Sequence, residues 1–354
     1  MKLSSKIMGG FGIVTIITIF VGVVGWIGLQ RLIGNMNVLD DQVVPSISAI
    51  DEIESDLKSI RIAARTLMNP LLSKEDRARQ FANAEEAKKE LSKALKDLEA
   101  VPNKTPSRIE LEKQFIAKLN DYLPATDQFF KMAKDIEATG ITNPMELVEK
   151  IERFRFLHYQ TMLKVADLLA LKEEFEGGED ASQCEFGKWL ASFKTDNENL
   201  SKLLNQIAPI HEEFHKSVKK IKETVKNGDL AAANMIYKMQ LKPTAKATFE
   251  YFEKLAEIAN QSKNLYMNMI KYGMEDLVVK QKEAVDVLSK IVKTIDEEQA
   301  NAVTKLKSAV RSSRILLIAG VLIGAILAML IGSYIVISTT RVLRRIAEGL
   351  SDGA

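Results

Sequence analysis

Cysteine and histidine are scarce in this chain of 354 residues, which contains one Cys and three His. A single cysteine excludes an intramolecular disulfide, and with it a small fold held together by disulfides. The chain also lacks an excess of either charge, because 49 Lys and Arg stand against 47 Asp and Glu. The two signs are interleaved along helical patterns. This is typical of solvated helix faces and excludes the basic surface of a nucleic-acid-binding protein.

Charge is absent altogether from two segments, residues 7–30 and 315–340. At ~1.5 Å per helical residue they reach about 36 and 39 Å, enough to cross a hydrocarbon core ~30 Å thick. The first segment does not fit a cleaved signal peptide, because it exceeds the roughly 7–15 apolar residues of such peptides and no Ala-x-Ala-like site follows it. A buried core helix does not need so long a run without charge. The sequence therefore predicts two transmembrane helices.

The basic residues beside the two segments predict their orientation, because short cytoplasmic flanks retain Lys and Arg. Those on the terminal sides are Lys2, Lys6, Arg341, Arg344 and Arg345. Arg31, Arg311 and Arg314 lie on the inner sides, next to a long segment whose charges influence topology less. We expect a multi-pass protein of the cytoplasmic (inner) membrane, with both termini in the cytoplasm and the middle of the chain outside.

Strand-like alternation is missing between the two segments, where apolar residues recur every three or four positions. Dipeptides with Pro or Gly predict where helices end or begin: Asn69-Pro70, Val101-Pro102, Thr105-Pro106, Asn143-Pro144, Gly177-Gly178 and Asn227-Gly228. The predicted fold class is all-α, with two transmembrane helices bracketing an extracytoplasmic domain of two stacked or nested helical bundles.

The predicted organisation has seven parts. These are a cytoplasmic N-terminus (1–6), transmembrane helix 1 (7–30), a first bundle segment (31–143), a second bundle (144–262), a long helix to the membrane (263–314), transmembrane helix 2 (315–340) and the start of a cytoplasmic helix (341–354).

Two repeats near the end of the chain predict helix packing. Ahead of the second apolar segment, the repeating residues are Leu288, Ile291, Ile295, Ala302, Leu306 and Ala309. An intramolecular bundle contact and a dimer contact fit this seam equally well. Inside the segment, small residues recur every four positions, at Gly320, Gly324, Ala328 and Gly332. They allow close approach of helices, within one chain or between chains.

All three histidines and the only cysteine fall within residues 158–215, at His158, Cys184, His211 and His215. The last two are spaced i, i+4, so both imidazoles lie on one helix face. Three nitrogens and one sulfur are the donor set that tetrahedral zinc prefers. Taken alone, the histidine pair is also compatible with a polar helix face, but the absence of His and Cys elsewhere favours a Zn²⁺ site of these four residues.

A hydrolytic zinc site is the weaker alternative, since it keeps a coordination position open for water and needs a general base. Glu212 and Glu213 lie between the paired histidines, so residues 211–215 have the His-Glu-x-x-His spacing, but Cys184 would compete for the position that a hydrolytic site keeps open. Four candidate ligands would close the site. We therefore expect no enzymatic activity. A structural role for the metal is favoured, and the alternative is a sensory role in which oxidation of the thiolate or a changing zinc supply alters the coordination.

The segment from His158 through Cys184-Glu-Phe-Gly-Lys-Trp-Leu to His211-x-x-x-His215 resembles the chemoreceptor zinc-binding domain. That family is a four-helix module with a helix-borne His, a Cys-x-x-Gly-x-Trp turn and a His-x-x-x-His helix. Gly187 and Trp189 stand at the matching offsets. The resemblance implies that the four residues ligate zinc. The module is usually cytoplasmic in that family, whereas the topology predicted here places it outside.

The two-span topology and the tail that begins at Arg341 resemble methyl-accepting chemotaxis proteins. This resemblance implies the sensory half of a transmembrane chemoreceptor, which forms homodimers, with larger receptor arrays as a further expectation. It implies transmission of an extracytoplasmic signal, from a small ligand or a metal or redox change, to a cytoplasmic chemotaxis kinase and adaptor. The signalling half is expected after Ala354. The alternative is the sensory half of a membrane sensor kinase or diguanylate cyclase, and a membrane-anchored zinc hydrolase is a remote one.

Overall fold

The computed structural model describes residues 3–351, so Lys2 and residues 352–354 of the predicted cytoplasmic termini lie outside the described residues. All regular structure in the described range is helical and forms a helical bundle, which confirms the all-α prediction. The helices are α1 (Leu3–Val38), α2 (Val44–Leu67), α3 (Lys74–Ala100), α4 (Pro106–Ala138), α5 (Pro144–Leu171), α6 (Glu185–Ser192), α7 (Glu198–Lys226), α8 (Leu230–Ile236), α9 (Lys242–Met274) and α10 (Asp276–Ser351). The seven-part organisation stays a prediction.

Two π-helical turns, Leu39–Val43 and Tyr237–Leu241, join consecutive helices without a loop. Pro45 and Pro243 follow these turns. Proline has no N–H to bond the carbonyl four residues earlier, and its ring collides with that carbonyl. A wider π turn accommodates the missing bond. The chain therefore passes directly from α1 into α2, and from α8 into α9.

The start of α5 agrees with the prediction from sequence, whereas its end does not. Asn143 accepts a hydrogen bond from the Glu146 N–H and Pro144 takes the first turn, as predicted. The predicted stop at Gly177-Gly178 is wrong, because α5 already ends at Leu171. Lys172 adopts a left-handed conformation there (φ 61°), and its N–H bonds the Leu168 carbonyl. The glycines lie in the following loop.

The described chain divides into two compact units. In the first, Arg108 is almost fully buried and donates to Glu112 Oε1 (2.9 Å) and Glu298 Oε2 (3.1 Å). These bonds tie the start of α4 to α10. Unit 1 comprises the described parts of Met1–Ser55, Glu90–Gln114 and Val287–Ala354.

The apolar seam of α10 is covered by the chain itself. Leu288, Ile291, Ile295 and Ala302 are buried, Ile291 completely. The intramolecular interpretation of this seam therefore holds at these four positions, and they offer no surface for a dimer contact.

The glycines of α10 also pack within the chain. A Cβ added at Gly324 would lie 3.2 Å from Ile17 of α1, and one at Gly320 would lie 3.6 Å from Val21. Gly332, by contrast, has nothing within 4 Å of such a Cβ. The small-residue repeat thus serves intramolecular packing along part of its length.

Unit 2 comprises Asp56–Lys89 and Phe115–Asp286, and α5 to α9 bury two apolar clusters within it. Phe252 belongs to the first cluster and Phe214 to the second. The ring of His158 lies 5.2 Å from the Phe252 ring and 5.4 Å from the Phe214 ring, measured between centroids. The predicted metal site therefore lies where the two clusters meet.

Candidate metal centre

The four predicted ligand residues converge on one point. His158 lies on α5, Cys184 directly precedes α6, and His211 and His215 lie on α7. Their donor atoms all lie within 4.8 Å of one another. The three histidines are buried and Cys184 is half-buried. Three separate helical segments therefore contribute to one cluster, and the structure brings together every residue that the sequence singled out.

The separations between donor atoms suit tetrahedral coordination. His211 Nε2 lies 3.0 Å from His158 Nε2, 2.9 Å from His215 Nε2 and 3.2 Å from Cys184 Sγ. His215 Nε2 lies 3.4 Å from His158 Nε2. Bonds of about 2.0–2.1 Å to nitrogen and about 2.3 Å to sulfur place tetrahedral zinc ligands roughly 3.3–3.6 Å apart. The four quoted separations therefore match those of a zinc site to within about 0.5 Å, three of them being shorter.

Two backbone carbonyls fix which ring nitrogens face the cluster. His158 Nδ1 lies 2.7 Å from the Phe154 oxygen, and His215 Nδ1 lies 2.8 Å from the Gly178 oxygen. A carbonyl only accepts, so each Nδ1 carries the proton and each Nε2 presents its lone pair inward. Outer hydrogen bonds of this kind are the usual way in which metal-binding histidines are oriented.

Burial keeps these imidazoles neutral. It lowers the pKa of His158 to about 4, because water no longer stabilises the charged ring. It also lowers the pKa of His211 to about 2, with a further contribution from the two neighbouring histidines. Burial lowers the pKa of His215 in the same way. At neutral pH the imidazoles are therefore uncharged, and the inward Nε2 lone pairs of His158 and His215 are available to a cation.

The sulfur of Cys184 is held by the start of α6. Its Sγ accepts a hydrogen bond from the Gly187 N–H at 3.2 Å, and the helix N-terminus favours negative charge. Burial nevertheless raises the pKa of the Cys184 thiol, so the backbone alone does not hold a thiolate there. A bound cation would supply the missing stabilisation, since a coordinating thiol is deprotonated.

Gly187 lets the turn before α6 close on itself. A Cβ at this position would stand 1.8 Å from the Ala181 carbonyl oxygen and 2.9 Å from its carbon. These are backbone atoms that no side-chain rotation can move away. The glycine of the Cys-x-x-Gly pattern is therefore required by the close approach of residues 181–182, which in turn positions Cys184.

Aromatic rings surround the cluster on its inner side. Phe186 meets the His211 ring edge-to-face at 4.8 Å, and Trp189 packs against Phe186 and Phe154 at centroid distances of 5.9 and 5.3 Å. Such a shell excludes water and lowers the local dielectric, which strengthens the interaction of a metal with its ligands.

The outer side of the cluster borders an open surface cavity of ≈ 530 Å³, whose lining includes His211, His215 and Gly187. Glu212 also lines it, but its carboxylate pairs with Lys216 Nζ at 2.8 Å and the side chain is more than half exposed. Glu212 is therefore paired with Lys216 at the surface.

The sequence did not reveal four participants of this site. The carbonyls of Phe154 and Gly178 orient the histidines, while Phe186 and Phe252 pack against them. Every residue has a backbone carbonyl, so its acceptor role leaves no sequence signal. Phe186, two residues after the cysteine, is part of the motif, but its residue type alone did not predict a contact with the histidines.

Comparison with known protein families gives two matches. Residues 1–146 match the family described as a four-helix-bundle sensory module for signal transduction, and residues 158–222 match the chemoreceptor zinc-binding domain. No curated protein and no solved structure shows a significant match to the chain. The two family matches confirm the resemblance drawn from the sequence. The second begins at His158 and includes all four residues of the cluster.

Proposed function

We propose that this chain, which joins a sensory module for signal transduction to a chemoreceptor zinc-binding domain, is the sensory region of a methyl-accepting transmembrane chemoreceptor. In this role it transmits an extracytoplasmic signal to a cytoplasmic chemotaxis kinase complex. One observation carries the proposal. The two signalling segments share a chain with two long apolar helices that its own fold leaves uncovered.

The exposed apolar surface supports membrane insertion. The most apolar windows of the two candidate helices have mean hydropathies of 2.4 and 2.9, and only 6% and 0% of these windows are buried. Phe11, Trp26 and Leu330 are each more than 60% exposed. A core helix of a soluble protein would be mostly buried, and side chains of this size cost about 1.5–3 kcal/mol each when left in water. Hydrocarbon removes that cost.

Charge placement supports an orientation with both termini in the cytoplasm, as the flanking Lys and Arg predict. The test uses Lys93→Cys on α3, where the side chain is 63% exposed, in a Cys184→Ser background. A membrane-impermeant thiol reagent should label it on intact cells with a permeabilised outer layer. Arg341→Cys is the matched control, expected to react only after lysis. The reverse pattern of labelling would overturn the topology.

We propose Zn²⁺ as the ion at the four-donor cluster. His158, Cys184, His211 and His215 would hold it, and its chemistry there is to bind α5, the start of α6 and α7 together. Four protein ligands leave no open position, which supports a structural site rather than a hydrolytic one. Elemental analysis of purified protein should find about one zinc per chain. Metal-free protein with an unchanged melting temperature after chelation would contradict the assignment.

Chemotaxis is favoured over the other outputs because both family descriptions concern signalling and one of them names chemoreceptors. A homodimer is part of this proposal, and its contact must lie outside the buried seam of α10. Deleting the gene for this protein should abolish the chemotactic swimming response of the host cells to the signal that the protein detects. A changed level of cyclic di-GMP with normal swimming responses would favour the cyclase alternative instead.

A further inference from the structure

Helix α10 pairs with α4, the last complete helix of the matched sensory module. That match ends at residue 146 and therefore includes α1 to α4 but not α10. In unit 1, Arg108 of α4 pairs with Glu298 of α10 at 3.1 Å. In unit 2, Lys118 of α4 pairs with Glu283 of α10 at 2.8 Å. The zinc-binding-like segment is thus inserted in the chain between two helices that contact each other.

Within unit 2, helix α9 contacts both the four-donor cluster and the helices α2 and α4. Its N-terminal half borders the four-donor cluster, because the Phe252 ring lies 5.2 Å from the His158 ring and 5.0 Å from the Phe186 ring. Phe252 is completely buried, and Leu255 and Ala259 continue the same face into the core. A change in the packing around His158 or Phe186 therefore acts directly on α9.

The C-terminal half of α9 packs against the sensory helices. The Tyr266 hydroxyl donates to the Met68 carbonyl at the end of α2, and the Tyr272 hydroxyl donates to the Ala125 carbonyl of α4 at 3.2 Å. At Gly273 the helix α9 backbone lies close to Met68 and α4, since an added Cβ would stand 2.2 Å from Met68 Cε and 2.8 Å from the Phe129 ring. This half of α9 is therefore fixed to α2 and α4 rather than to the cluster.

Only one residue separates α9 from α10. Glu275 donates its N–H to the Lys271 carbonyl at 2.9 Å, and its own carbonyl accepts from the Val279 N–H at 3.4 Å. Helical bonds therefore flank the junction, and α10 then continues without interruption to Ser351 through the second apolar segment. Packed helices respond to a change in their side-chain contacts by small shifts or rotations as rigid elements.

We propose that α9 and the start of α10 (residues 276–286) act as one coupling rod, which conveys a change of ligation at the four-donor cluster to the start of α10. The input is a divalent metal or any reaction that removes one of its ligands. The proposal rests on the metal site described under Proposed function. It adds the path, with Phe252 as the contact at the cluster and Glu275 as the joint.

Hydrogen exchange of the whole chain in lipid nanodiscs tests this path. Zinc-loaded and chelated protein are compared in peptides from α5, α7, α9 and residues 276–286 of α10. A ligand at about a hundredfold excess over its dissociation constant slows exchange by global opening of the structure it stabilises by about a hundredfold. We expect slowing of at least about tenfold in residues 276–286 as well as in α5, α7 and α9.

Three glycines inserted after Glu275 should abolish the slowing in residues 276–286 and retain it in α5, α7 and α9. The same insertion after Gly228, in the turn between α7 and α8, is the matched control and should leave the response of α10 intact. Native protein that retains zinc but shows slowing only within residues 144–262 would overturn the coupling rod while sparing the metal site. Protein that binds no zinc and shows no slowing anywhere would overturn both.

Discussion

Replacing Gly187 by alanine has two opposing effects on the free energy of unfolding. Gly187 lies within α6, where alanine is favoured over glycine by about 1 kcal/mol. The added Cβ, however, would stand 1.8 Å from the Ala181 oxygen, well inside van der Waals contact. The Cβ position is fixed by the backbone of residue 187 and the contacted oxygen is itself backbone, so no side-chain rotation relieves the contact. The turn itself therefore has to move. Overpacking of this kind costs about 1–3 kcal/mol, and the severe contact favours the upper end of that range.

The net expectation for Gly187→Ala is a loss of about 2 kcal/mol, corresponding to a fall of about 5–10 °C in the melting temperature of the zinc-binding-like segment. The shift also displaces the Gly187 N–H from Cys184 Sγ, so zinc content should fall in parallel. Calorimetry and elemental analysis of protein purified in detergent measure both quantities. Ser192→Ala, at the other end of α6, is the control and should change stability by less than about 0.5 kcal/mol. A higher melting temperature for Gly187→Ala would show that helix propensity dominates and that the turn is not tight.

Three further predictions concern the cluster, the ion network and the seam. Cys184→Ser should remove most of the bound zinc and lower the melting temperature strongly, because the thiolate is the only anionic ligand in the set; elemental analysis and calorimetry of the same sample decide it. Arg108→Ala should cost about 1–3 kcal/mol in chemical denaturation, since it removes the buried cation of Glu298 while Lys104 still pairs with Glu112; a loss below about 0.5 kcal/mol would contradict the buried network. Ile291→Cys should fail to cross-link between chains under mild oxidation, because Ile291 is completely buried in its own chain; efficient cross-linking would refute that burial.

The candidate site was predictable because its signal is compositional. A chain that uses histidine and cysteine only at His158, Cys184, His211 and His215 reveals the set without any knowledge of the fold. The partners of these residues were not predictable, since the Gly178 carbonyl acquires its role only when the loop after α5 folds back over α7. Residue type identifies ligands, whereas their orientation depends on tertiary structure.

The helices themselves followed from periodicity and punctuation, with errors where a single residue decides the outcome. Lys172 ends α5 in a left-handed conformation that lysine rarely adopts, and residue type therefore did not predict this helix end. The seam through Ile291 presented a different limit. Its spacing reports that one face of α10 is apolar, but a pattern within one helix does not say whether the covering surface comes from the same chain.

The insertion between α4 and α10 also governs how the protein emerges from the ribosome. Helix α4 ends at Ala138 and α10 begins at Asp276. At about 5–20 residues per second, the ribosome needs roughly 7–28 s to synthesise the intervening segment. During this interval Phe115 and Phe129, both completely buried in the finished structure, have been made while α10 has not. Nascent α2 to α4 are therefore complete before α10, with which α4 pairs through Arg108 and Lys118, has been made.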